Sequence, residues 1–120
     1  MLLTHKINIP IYNQEVWIFV GEPYEFQDYL KNIEKLNGAE FDPNYTGAIC
    51  IHRDFCSWIW LSSDSGFDEL IHELSHAVFD LMDDVGLHTS DQEAFCYLIQ
   101  YLVKECQNLF AIRMDPIKQV

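Results

Sequence analysis

Basic side chains are scarce in this chain of 120 residues: Lys and Arg number 7 against 19 Asp and Glu, a formal net charge of −12. The seven, Lys6, Lys31, Lys35, Arg53, Lys104, Arg113 and Lys118, are scattered. A chain so charged repels phosphate backbones, and nucleic acid is excluded as the expected partner. Long hydrophobic runs are missing too. The longest wholly apolar stretch is Val16 to Val20, far short of the roughly 20 residues of a membrane helix. His5, Lys6, Asn8 and Pro10 break up the N-terminal region, so no signal peptide is read there and a cytoplasmic location is the expectation. None of the four cysteines forms a C-x-x-C pair. Cys50 and Cys56 could face each other across a hairpin, but a reducing compartment favours free thiols. No repeat or Gly/Pro/Ser linker interrupts the chain, and residues 1–120 are read as one domain.

What is present is a core. Hydrophobic residues make up 49% and aromatics 14%, enough to bury an interior at this length. The front half alternates or runs apolar at strand length: Leu2 to Ile9, Glu15 to Val20, Ala48 to His52 and Cys56 to Leu61. The continuous Val/Trp/Ile/Phe content of the second run predicts burial on both faces, and Arg53-Asp54-Phe55 predicts a hairpin between the last two. Between them Pro23 opens a helix in which Phe26, Leu30, Ile33 and Leu36 recur at helical spacing, with Asn37-Gly38 as its stop. From Ser65 the period lengthens to 3.6, which predicts one helix to about Val85 and, after Gly86, a second from Ser90 to about Phe110. Strands first and helices after predict an α+β domain, a small, mostly antiparallel sheet packed against two or three helices.

The chemistry lies in His72-Glu73-Leu74-Ser75-His76, an H-E-x-x-H well inside the first of these helices. Residues i and i+4 share a helix face, so both imidazoles can grip one Zn²⁺ while the Glu reaches its bound water. A shuffled chain of this composition would contain the pattern about once in eighty, so context decides. At about 100° per residue, Leu70, Ile71, Leu74, Ala77, Val78, Leu81, Met82 and Val85 form one apolar stripe, and both histidines point away from it. They are not core filling. The metal is therefore expected in a cleft that substrate can reach.

A catalytic zinc takes three protein ligands and keeps one position open. Phe79 and Met82 stand where a metzincin needs Gly and His. Glu93 is the candidate third ligand, with His88, Asp91 and Asp80 as alternatives; Ser90-Asp91-Gln92-Glu93 also reads as a capping box that would merely hold a helix start. Tyr97, one turn after Glu93, is the first choice for an oxyanion donor, followed by Tyr101 and His88, although an interfacial tyrosine would look the same in sequence.

His72-Glu73-Leu74-Ser75-His76-Ala77, Gly86-Leu87, Glu93-Ala94-Phe95-Cys96-Tyr97-Leu98 and Tyr101-Leu102 together resemble the small zinc metallopeptidases of bacteriophage genomes, within the gluzincin-like zincin group. The resemblance covers about residues 66 to 104. It implies a pared-down zincin fold, His72, His76 and Glu93 as zinc ligands, Glu73 as catalytic base, and a peptide or protein substrate. Tyr97 departs from larger gluzincins, which often carry Asp there. Zincins hold extended peptides against an edge strand, and Cys56 to Leu61 is the strand expected to serve; Trp58 and Trp60, on one face of it, line either a groove or the core. The contrasting expectations are a catalytically silent acidic protein that binds or inhibits a basic partner, and a domain with a purely structural zinc.

Overall fold

The computed structural model describes residues 2–33, 36, 41–44, 47–88 and 90–107. It is an α+β fold with elements in the order β1 (Leu3–Ile9), β2 (Gln14–Val20), α1 (Pro23–Lys31), β3 (Ala48–Arg53), β4 (Cys56–Leu61), α2 (Phe67–Asp84) and α3 (Gln92–Glu105). The strands form one sheet in the order β1-β2-β4-β3. β1 with β2 and β3 with β4 are antiparallel, whereas β2 and β4 run parallel. The parallel pair follows from the hairpin: β3 starts at the end of the sheet where β2 finishes, since Val20 and Ala48 both pair with Leu61, so β3 runs against β2 and its antiparallel partner β4 runs with β2.

Strand alternation sorts the interior into two layers. Val16, Ile18, Val20, Ala48, Ile59 and Leu61 face α2 and α3. Phe19, Trp58 and Trp60 face α1, where they meet Phe26, Leu30, Leu36 and Phe41. The Trp60 ring lies 6.2 Å from Phe26 and 5.2 Å from Phe41, and its Nε1 donates to Gly21 O at 3.1 Å. Trp58 and Trp60 are thus core residues. β4 has neighbours on both sides, so the expectation that Cys56 to Leu61 receives a substrate strand is corrected: its backbone groups are already paired, and among the described residues the edges belong to β1 and β3. Cys50 and Cys56 are free thiols, on opposite faces of the sheet.

α1 is shorter than its apolar spacing predicts. Asn32 donates from Nδ2 to Asp28 O at 3.0 Å, a side-chain bond that competes with continued helix; Leu36 still reaches the core as a separate contact. The expected stop at Asn37-Gly38, most of the loop to Gly47 and residues 108–120 lie outside the described residues; α3 itself ends at Glu105 with Cys106 as its C-cap, short of the expected Phe110. α2 ends where expected: Gly86 adopts φ +78°, Gly86 N donates to Asp83 O, and Leu87 N to Met82 O, which closes the helix with a Schellman motif. Among the described residues no helix is long and apolar enough to cross a membrane.

Both ends of α2 are tied to β3. At the start, Ser65 Oγ donates to Gly47 O at 3.1 Å, and Gly66 N donates to Glu69 Oε1 at 3.2 Å. At the end, His52 Nε2 meets Asp84 Oδ2 at 2.5 Å, while His52 Nδ1 lies 2.7 Å from Oγ of Ser57, its cross-strand partner. Ser57 is buried, so this Ser–His–Asp chain is a latch with no substrate access. His52→Ala is expected to lower the unfolding free energy by about 1 kcal/mol, because it removes the bonds to Ser57 and Asp84, while Gln14 Nε2 still donates to Asp84 Oδ2 at 3.4 Å. Adding Ser57→Ala should cost less than its separate effect, measured by urea denaturation of both single variants and the double variant.

Candidate metal centre

α2 is amphipathic in the way its sequence requires. Leu70, Leu74, Ala77, Val78, Leu81 and Met82 are buried on the sheet, and the opposite face presents His72 and His76. Their rings lie 4.9 Å apart at 77°, with Nε2 atoms 3.2 Å from each other. Two nitrogens bound tetrahedrally at 2.0–2.1 Å stand about 3.3 Å apart, so the imidazole pair fits a zinc ion. The His72 side chain is 68% exposed, which leaves the metal side of the rings open.

Glu73 behaves differently from its neighbours. It is only 8% exposed and turns toward the start of β3, sharing a cleft with Gly47 and Ala48, yet its Oε2 stays 3.9 Å from His72 Nε2. Burial pushes its carboxyl above the ordinary carboxylate range; both imidazoles oppose the shift and Glu69 adds to it. A cleft of about 430 Å³ opens beside it, lined by Gly47, Ala48, Asp68, Glu69, His72 and Glu73. A buried base at the floor of a cleft beside an imidazole pair suits proton transfer. Cys50 contributes no thiolate: burial first, then the Asp80 and Glu73 carboxylates, push its thiol up to about 12.

Glu93 stands exposed in the first turn of α3. It is not part of a capping box. Asp91 is the N-cap and accepts from Ala94 N at 3.0 Å, which puts Glu93 one position short of that motif. Ser90 N bonds to His88 Nδ1 at 3.0 Å, with Ser90 Oγ 2.6 Å from the same nitrogen, so His88 and Asp91 are engaged locally. α3 meets α2 through Phe95, whose ring stacks on Phe79 at 4.9 Å. Glu93 and Tyr97, each two positions from Phe95, lie on a different face of α3, and Tyr97 is 69% exposed. Tyr101 donates to Asn8 O at 3.0 Å. Among the described residues no three His, Cys, Asp or Glu stand close enough to share a metal. The structure therefore assembles His72, His76 and Glu73, and does not bring Glu93 or Tyr97 to them. The start of β3, Gly47 and Ala48, lines the cleft without a sequence signal, because it reaches the site through strand order and helix packing.

No family model matches the chain, and neither the curated proteins nor the solved structures contain a match.

The raised pKa of Glu73 has a consequence for stability. A carboxylate whose folded pKa lies above its unfolded value destabilises the fold once ionised, so the cost is full above the folded pKa and vanishes below the unfolded one. In metal-free protein, Glu73→Gln is expected to raise Tm at pH 8, with the gain shrinking as pH falls toward 4.5; thermal denaturation at a series of pH values checks this.

Proposed function

We propose that this chain is a zinc-dependent hydrolase of peptide bonds, centred on His72, Glu73 and His76. The observation that carries the reading is the pair of Nε2 atoms 3.2 Å apart on an open helix face, with a buried carboxylate beside them. A solvated surface pair has no need of that carboxylate, and a purely structural zinc site has no need of a base.

His72 and His76 would hold the metal. Glu93 is the proposed third ligand, because its carboxylate takes no part in capping α3 while Asp91 and His88 are engaged locally; metal binding would have to draw the first turn of α3 toward the imidazoles, and Asp80, already on α2, is its competitor. Tyr97, one turn beyond Glu93, is the proposed oxyanion donor and would approach only with the same movement of α3. When bound, zinc supplies acidification of a water and polarisation of the substrate carbonyl. Glu73 takes the proton of the attacking water and delivers it to the leaving amine as the carbon–nitrogen bond breaks. Its raised pKa brings it closer to the neutral range in which it must both accept and release that proton. β3 offers the strand edge beside the cleft, since its first residue, Ala48, lines it. An extended peptide could pair there with its carbonyl over the imidazoles.

One zinc per chain is expected by mass spectrometry of the native protein. His76→Ala should lose it, and Glu93→Ala should weaken binding about 10-fold or more in a zinc titration. Glu73→Gln should keep the metal and lose about 10²–10⁴ in the cleavage rate of a peptide library. Zinc held equally by wild type and His76→Ala would sink the reading; zinc held by Glu93→Ala but lost in Asp80→Ala would move the third ligand to α2.

A further inference from the structure

Phe79 shares the helix face of the imidazole pair, and Phe95 of α3 stacks on it. Phe79 follows His76 by three residues and His72 by seven, which puts all three on one face of α2, with Phe79 about 4.5 Å further along the axis. Its ring stacks on Phe95 at 4.9 Å and 30°, yet it remains 42% exposed. The α2–α3 seam is already closed beneath by Leu74, Val78, Leu98 and Leu102. The stacked pair is thus an apolar surface left open at the rim, on a chain whose net charge is −12. Its position is specific: Glu73 turns to the β3 flank of α2, Phe79 turns to the α3 flank, and the imidazoles lie between them.

We propose that the Phe79–Phe95 pair is a specificity surface, selecting an aromatic or large aliphatic side chain on the substrate residue next to the cleaved bond. This rests on the peptidase reading above. A peptide paired to β3 with its carbonyl over the imidazoles directs one neighbouring side chain across α2, onto the exposed phenyl face. An apolar side chain there gives up its water-exposed area against the ring. An acidic one meets an acidic surface instead, with Asp80 and Asp83 on the same stretch of α2.

The test uses the full chain loaded with zinc alone, followed by amino-acid hydroxamates of Phe, Leu, Ala and Asp as metal-chelating probes that differ only in side chain. Calorimetry is expected to show the Phe and Leu probes binding about 10-fold tighter than Ala, the discrimination an apolar contact of this size gives. Phe79→Ala should bring the Phe and Ala probes to within about 2-fold of each other by the same principle, with zinc affinity unchanged. Phe95→Leu, which keeps the helix seam apolar, should reduce the preference in the same direction and serves if Phe79→Ala fails to fold. Zinc binding without side-chain preference, or a preference that survives both variants, overturns the specificity surface and leaves the peptidase reading standing. Failure to bind zinc overturns both.

Discussion

The seating of α2 on the sheet is the constraint on which the rest depends. One stripe, Leu70, Leu74, Ala77, Val78, Leu81 and Met82, is buried against the inner residues of β2, β3 and β4. Because a helix buried on one stripe must show its opposite stripe to solvent, this packing alone places His72 and His76 at the surface. The apolar contacts fix the rotation of the helix. Its position along β3 is fixed by polar contacts at each end, Ser65 to Gly47 at the start and Asp84 to His52 at the finish. Between these ties Glu73 lines the cleft beside Ala48, where burial raises its pKa.

Electrostatics reinforces that placement unevenly. Asp68 and Glu69 sit in the first turn of α2, where the macrodipole favours carboxylates, but no basic residue occupies its last turn. Asp83 and Asp84 therefore stand at the unfavourable end. His52 offsets this from the neighbouring strand, which explains why a polar His–Ser pair persists where the other inward residues of β3 and β4 are apolar. Glu73 is the reverse case. Burial raises its pKa, so its ionised form costs the fold stability, and a group of that kind lining a cleft is a candidate for proton transfer.

Much of this was legible beforehand. Among the described residues the four strands and three helices lie where period and punctuation put them, with boundaries shifted by a residue or two except at the ends of α1 and α3. The Asn32 side-chain bond that shortens α1 is a local contest between two adequate partners for one carbonyl, which spacing does not resolve. The orientation of His72 and His76 followed from the helical wheel. The interior position of β4 did not, since it depends on which strand of the β3–β4 hairpin docks against β2.

The sequence by itself determined the α+β class, the two-sided burial of β2 and the face on which the H-E-x-x-H histidines stand, because each depends on periodicity within one segment. Only the tertiary structure decided that Trp58 and Trp60 are core, that β3 supplies the strand edge beside the cleft, and that Phe95 rather than Glu93 meets α2. Those depend on how separate segments turn toward one another, and that is set by the summed packing of the whole domain.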